Sequence, residues 1–510
     1  MTKHSKPMNS VTAVSLVGSA SILKIAFGLL KMKVAAVLLG PAGVGLIGLF
    51  QQLMTTVSTL FGLGIREAGT RQVADANGTR SESELAKVRR ALFWGAVVLG
   101  LSAALFLFLA RDLIAHHILQ TPLKGAEIGW LAVGAALTVA AGSQQALLNG
   151  LRQVRELALI TVLTGALSTL IGVAAMLLWR EYAVIIFVLS SPFASFVMGH
   201  VFVARLPRIT APGTPYRELS AEFTQMARLG SSIMLAALVV AAGHLTVRTL
   251  IQRDLGVEAL GLFTAAWLIS QYYIGFLYTA ITMDYYPRLT AAFADRAEAT
   301  RIINQQTEIS LLFAAPLFLG MMSLAPYALW LLYTEEFIEA ADVLRWFIVG
   351  DILKVLAYPL GFALLAAGAG KTYFLSRFVS AVIFVAAVWL LLSDFGLNAV
   401  GIAYIIMNLV HFPLMFVMVR RYIPFFLSTT VSVIACAVFV ASVSIALLGT
   451  FDMKLSASIG ILISVVATIY SFNRLSTLAR PNYTAKLTIT GKKFSQILKR
   501  ISKKLINPRF

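Results

Sequence analysis

Leu39-Gly40-Pro41-Ala42-Gly43-Val44-Gly45-Leu46 and Leu255-Gly256-Val257-Glu258-Ala259-Leu260-Gly261-Leu262 are one pattern written twice, Leu-Gly-x4-Gly-Leu. Each copy closes one long apolar stretch and opens the next. Cations precede both copies: Lys31 and Lys33 before the first, Arg248 before the second. The identical place of the pattern in the two halves predicts a duplicated helical bundle. Internal repeats with a binding site at their interface are a common plan for transporters.

The surrounding composition fits that plan. Of 510 residues, 59% are hydrophobic and only 13% charged, far from the balance of a soluble domain. A helix needs about 20 apolar residues to cross a bilayer, and about 14 such stretches recur along the chain. They lie near 11–38, 43–64, 89–110, 128–149, 157–178, 183–204, 230–251, 259–282, 309–333, 343–366, 373–393, 398–419, 425–449 and 456–472. The expected fold is an all-α polytopic membrane protein, with two six-helix lobes around a central cavity and two extra C-terminal helices. The lobes are expected over 1–204 and 230–421, joined by a Pro-bearing linker over 205–229. The extra helices occupy 422–472, and a basic tail fills 473–510. The function classes left open are transporter, channel and intramembrane enzyme.

Topology follows from the cations. With the N-terminus inside, cytoplasmic segments collect Arg66, Arg71, Arg80, Lys87, Arg89 and Arg90, then Arg205, Arg208, Arg217 and Arg228, then Arg420 and Arg421. The opposite side holds acidic loops such as Glu335-Glu336. Both termini are therefore expected in the cytoplasm. The net charge of +19 is mainly this asymmetry and calls for no nucleic-acid partner. Met1-Thr2-Lys3-His4-Ser5-Lys6 resembles the start of a signal peptide, but the apolar stretch after it is too long and lacks a cleavage site, so it is read as a retained first helix. In the tail, Phe494, Ile497, Leu498, Ile501 and Leu505 fall at helical spacing among lysines. That pattern suits either an amphipathic segment on an anionic leaflet or a solvated topogenic tail.

Two motifs are set aside. Gly368-Ala369-Gly370-Lys371-Thr372 lacks the first glycine and the preceding strand of a phosphate loop, so it is read as a tight turn between membrane helices. The histidines show no metal-ligand spacing, and no paired carboxylates or Ser/His/Asp set suggests hydrolysis, so no enzyme and no metal is expected. Cys436 stands alone, which excludes an internal disulfide.

What remains is a set of ionisable residues inside apolar spans. A cation at the bilayer centre costs roughly 2.5–3.5 kcal/mol on insertion scales, so such residues face a polar interior. Lys24 lies well inside the first span, Arg248 inside the seventh and Lys354 inside the tenth. They point to a cavity for an anion. His244 shares a helix face with Arg248, and Asp351 shares one with Lys354. The latter two form either a structural ion pair or a pair that opens when an anion or a proton competes. Lys31 and Lys33 are expected to snorkel at the end of the first helix.

Three further stretches carry a family resemblance. Ile22-Leu23-Lys24-Ile25, leading to Gly40-Pro41-Ala42-Gly43-Val44-Gly45-Leu46-Ile47-Gly48-Leu49-Phe50-Gln51-Gln52-Leu53, resembles the start of Wzx-type polysaccharide flippases, which include O-antigen translocases. Phe347-Ile348-Val349-Gly350-Asp351-Ile352-Leu353-Lys354-Val355 resembles their tenth-helix signature, and Tyr285-Tyr286-Pro287-Arg288-Leu289 their eighth-helix ending. The resemblance implies the multidrug/oligosaccharidyl-lipid/polysaccharide exporter fold working by alternating access in the bacterial inner membrane. It implies as cargo an oligosaccharide repeat unit on undecaprenyl pyrophosphate, with membrane lipids, a polysaccharide polymerase and glycosyltransferases as further partners. By the same resemblance Lys24, Arg248, Asp351 and Lys354 become candidate cavity residues. Gln51, Gln52, Gln144, Gln145, Asn149, Trp267, Gln271, Tyr272 and Tyr273 are candidates either for sugar contacts or for packing between helices. No cofactor is expected, and coupling to a proton or sodium gradient is left open. The alternatives are a drug exporter of the same superfamily and a membrane scaffold for glycan assembly. Two helices beyond the twelve of the enterobacterial branch set this chain apart.

Overall fold

Glycine decides where the longest helices bend. In the computed structural model, which describes residues 10–78, 82–119, 125–179, 183–207 and 215–478, helix α1 (Ser10–Gly62) breaks at Gly40 with φ 62° and ψ −168°. Helix α7 (Tyr216–Ala292) breaks at Gly256 with φ 91° and ψ 173°. Both torsion pairs lie where a side chain is strained, so the first glycine of each repeat serves the same purpose. Each break divides its helix where the sequence places a joint between two spans.

The second glycines of the two copies meet. A Cβ on Gly45 would stand 2.9 Å from the Gly261 nitrogen, and one on Gly261 would collide with the Pro41 carbonyl. The repeats thus pack backbone against backbone, an approach that only glycine permits. Just past the far end of α1, Gly64 approaches Gly230 of the first α7 arm as closely. Between these seams, Gln52 Nε2 donates to the Ala241 carbonyl at 2.9 Å. Arms α1 and α7 thereby form the main junction between the two halves.

The remaining helices are α2 (Ile65–Gly78), α3 (Glu82–Ile114), α4 (Gly125–Gly150), α5 (Val154–Leu178), α6 (Ala183–Ala204), α8 (Arg296–Ser323), α9 (Ala325–Leu332), α10 (Ala341–Ala366), α11 (Gly370–Phe395), α12 (Asn398–Arg420), α13 (Thr429–Phe451) and α14 (Met453–Leu478). Helices α1–α6 pack among themselves, as do α7–α12. By length and composition, 10 helices among the described residues suffice to cross a membrane, or up to 11 if a bent pair counts as one span. The expected 14 are not reached on that measure. The molecule is a multi-pass, all-α membrane protein.

Three departures from the sequence reading have local causes. The expected span 309–333 is α8 and α9, bent by 76° where Pro326 stands at the start of the second helix and Leu324 caps the first. The polar stretch after 64 folds as α2, because Ile65, Ala68, Val73 and Ala76 give it a buried face. The expected linker 205–229 is helical from Tyr216 onward: Leu219, Phe223 and Met226 dock against Ile65 and Val88. The Gly368–Thr372 segment does make a tight turn, with Gly368 at φ +70°. The amphipathic pattern at 494–505 lies outside the described residues.

Helices α13 and α14 belong to the C-terminal half. They pack on α8 and α10, where Arg474 Nε donates to Glu308 Oε1 at 2.7 Å and Ser464 Oγ to the Pro316 carbonyl at 2.9 Å.

Candidate functional site

Two adjoining cavities open in the protein, one between the halves and one inside the C-terminal half. The first, about 500 Å³, is walled by the 10–39 arm of α1, by α5 and α6, and by the second arm of α7. Lys24, Lys31, Gln51, Gln271 and Tyr272 are among its polar residues. The second, about 440 Å³, lies within the C-terminal half between α7, α10, α11 and α12. His244, Lys354, Arg377, Asn408 and His411 line it, with Trp267, Tyr278, Tyr358, Tyr373, Phe384 and Tyr404 as aromatic wall. Gln271 and Gly275 belong to both, so the two adjoin. Among the described residues, no aspartate or glutamate lines either one.

Lys24 is exposed into the first cavity. Lys31 reaches the same wall but is only 6% exposed. Its ammonium donates to the Phe187 carbonyl at 2.9 Å and to Ser190 Oγ at 2.7 Å, and sits 3.9 Å from the centre of the Phe187 ring. It therefore does not snorkel outward. Gly172 leaves the room for its stem, and the neutral acceptors and ring replace its water. Lys33 turns the other way, donating to the Trp330 carbonyl at 3.2 Å and to that of Tyr333. It joins the N-terminal half to the end of α9.

Asp351 is wholly buried behind the second cavity. Its carboxylate accepts from Ser270 Oγ at 2.7 Å, the Tyr273 hydroxyl at 2.6 Å and the Tyr404 hydroxyl at 2.7 Å. Lys354 Nζ stands 4.0 Å away and donates to the Tyr404 hydroxyl at 3.0 Å. The arrangement binds α7, α10 and α12 together, with both carboxyl oxygens of Asp351 engaged in hydrogen bonds. Tyr273 is thereby a ligand of Asp351 and not a free sugar contact.

The other expected residues divide. Gln51, Gln271, Tyr272, Trp267 and His244 reach cavity walls. Gln52 is committed to the Ala241 carbonyl, Gln145 Nε2 donates to Ser195 Oγ at 3.1 Å, and Asn149 is at the exposed end of α4. Gln144 packs against Gly199. Arg248 lines neither cavity. It is 4% exposed, with its guanidinium 5.0 Å from the Phe263 ring centre and one long bond of 3.4 Å to the His244 carbonyl. Arg377 and His411 were not singled out from sequence. Arg377 had a signal like that of Lys24, a cation more than a turn inside an apolar helix, whereas His411, whose Nδ1 is 2.7 Å from Ser380 Oγ, had none.

A helical shell in two halves around cation-lined chambers is the architecture of a polytopic membrane transporter. The fold is similar to that of solved membrane transporters. The lipid II flippase MurJ in an inward closed conformation superposes with a TM-score of 0.66, at 13% identity, over 91% of this chain and 100% of that one. An inward-facing multidrug resistance MATE family transporter gives 0.65 at 16% identity, over 80% of this chain and 98% of that one. In sequence, the lipid III flippases of Escherichia coli (strain K12) and Shigella flexneri are each 28% identical over 427 residues, 79% of this chain and 97% of theirs. Residues 34–342 match the family described as polysaccharide biosynthesis protein. The chain belongs to that family.

Proposed function

We propose that the protein is a flippase for lipid-linked oligosaccharides, moving undecaprenyl-pyrophosphate-linked repeat units of a surface polysaccharide such as O-antigen from the cytoplasmic to the periplasmic leaflet of the bacterial inner membrane. Both termini are cytoplasmic, and the Gly40 and Gly256 breaks lie at the periplasmic end. The two lobes, 1–204 and 230–421, rock about the α1–α7 junction. The observation that carries the reading is Lys24, exposed in a chamber whose described walls hold no carboxylate, with Lys31 behind it. A pyrophosphate has at least two negative charges and cannot cross hydrocarbon unaided; fixed cations replace its hydration. The outer face of the same α1 arm is apolar and open, with Ile22 and Leu23 about half exposed at 54% and 46%, so a polyprenyl tail can stay in lipid while its head enters.

A drug exporter for cationic compounds would need carboxylates in the chamber, and Asp351, the buried acid beside it, already has partners. Arg248, outside both walls, is assigned to packing at the α7 bend. Polymerase and glycosyltransferases are proposed neighbours, because the cargo is made on one side and consumed on the other.

Lys24→Ala tests the reading. In cells whose own flippase is replaced by this protein, surface polysaccharide is expected to fall sharply at unchanged membrane level, with Lys24→Arg retaining most of it. Normal polysaccharide in the alanine variant would remove the anion-binding role.

A further inference from the structure

The N-terminal half carries a third hollow, on its outer surface. Helices α3 and α4 pack antiparallel, with Gly100 against Ala136 and Gly129 against Phe108, and leave between them an open groove of about 600 Å³. Ala104, Gly129 and Ala132 line it where larger side chains would fill it. Its rims are Leu101, Leu105 and Phe108 on α3 and Trp130 and Val133 on α4, all exposed. It shares no lining residue with either central cavity.

A charge stands at one end of this apolar groove. Arg111, in the last turn of α3, lies just past the expected span 89–110, and its guanidinium carbon is 4.6 Å from the centre of the Phe108 ring. Gly129 leaves a passage for its stem, since a Cβ there would lie 3.8 Å from Arg111 Cδ. The Asp112 carboxylate, 3.7 Å from Arg111 Nε, is beyond hydrogen-bond length. Asp112 leans instead over Gly125, where a Cβ would stand 2.6 Å from its Oδ1. Gly125 begins α4, and a helix start favours an anion. Arg111 is 38% exposed at the groove, so donors of its fork remain for a second anion.

The dimensions select the occupant. From Arg111 to Leu101 the groove follows α3 for about 15 Å at the rise of a helix. That is half of a hydrocarbon core of about 30 Å, the depth of one leaflet. An anion at the interface with a single leaflet's length of chain below it is a phospholipid. Helix α3 sets out where α1 ends and crosses back, so the leaflet is the one on the face bearing Gly40 and Gly256.

We infer that the α3–α4 groove binds an anionic phospholipid of that leaflet, with its phosphate on Arg111 and one acyl chain along Leu105 and Trp130. A zwitterionic lipid carries its own ammonium beside the phosphate, so one cation near the surface favours the anionic lipid by about fivefold. The inference holds whatever the transporter carries.

Trp130 is a built-in reporter. The full-length protein is reconstituted in phosphatidylcholine vesicles with brominated phosphatidylglycerol or brominated phosphatidylcholine as quencher. The part of the tryptophan quenching that disappears in Trp130→Phe belongs to Trp130. That part is expected to give phosphatidylglycerol an affinity about fivefold above that of phosphatidylcholine. Arg111→Gln is expected to bring the ratio to about one while both lipids still reach Trp130, and Arg111→Lys to keep most of the preference. Equal affinities in the native protein, or a preference unchanged in Arg111→Gln, overturn the site. So does quenching of Trp130 by neither lipid, the result if a second copy of the chain covers the groove.

Discussion

The Gly45–Gly261 contact is a seam whose closure can be changed by one methyl group. In the present conformation an alanine at Gly261 collides with the Pro41 carbonyl, and one at Gly45 falls 2.9 Å from the Gly261 nitrogen. The obstacles are backbone atoms, which cannot turn aside as a flexible side chain does. Overpacking of this kind costs about 1–3 kcal/mol in the conformer that suffers it. A conformer in which the seam has parted escapes the penalty, so the balance between the two shifts by about 5–150-fold. The readout is a cysteine at Gln51 in a Cys436→Ser background, labelled by a membrane-impermeant thiol reagent from the face bearing Gly40 and Gly256. Gly261→Ala is expected to raise the labelling rate within that range. Gly142→Ala, where a methyl group meets nothing within 4 Å, is the control and should leave the rate unchanged. Unaltered labelling in a Gly261→Ala protein that accumulates and unfolds like its parent would refute the seam as a barrier.

Two further outcomes follow from the buried ion pairs. Asp351→Ala strands three hydroxyls and Lys354, and is expected to cost about 3–5 kcal/mol, seen as a lower thermal midpoint in detergent; Asp351→Asn, which keeps one acceptor oxygen, should cost less. Glu308→Ala is expected to loosen α14 and speed its proteolysis, whereas Glu308→Leu combined with Arg474→Met should recover most of the loss because apolar partners need no pairing.

Much of the architecture was legible because its signals are local. Apolar runs reveal spans by length, and the Leu-Gly-x4-Gly-Leu repeat marks two joints that the structure bends with matching torsions. The repeat could not reveal that its second glycines touch one another, since that depends on how two distant arms cross. Helix α2 and the Tyr216–Leu229 turns of α7 were missed for a related reason. Their apolar faces are short and interleaved with charge, and only docking against the N-terminal half makes them helical.

The site was legible in kind and not in direction. Depth within an apolar span identifies a cation that needs a polar setting, and it found Lys24, Arg248 and Lys354 alike. Which way each side chain turns depends on its neighbours. Lys24 meets open space; Arg248 meets the Phe263 ring; Lys354 meets Asp351 and Tyr404. Arg377 meets the same criterion less clearly, because it lies only about a turn inside the expected span 373–393.

The clamping of α13 and α14 onto α8 has a practical corollary. Cys436, the one thiol in the sequence, is exposed on α13, which packs on the C-terminal half. A spin label or fluorophore attached to it reports on that half alone. Paired with one engineered cysteine on α3 or α5, it is a native ruler for the distance between the halves through the transport cycle.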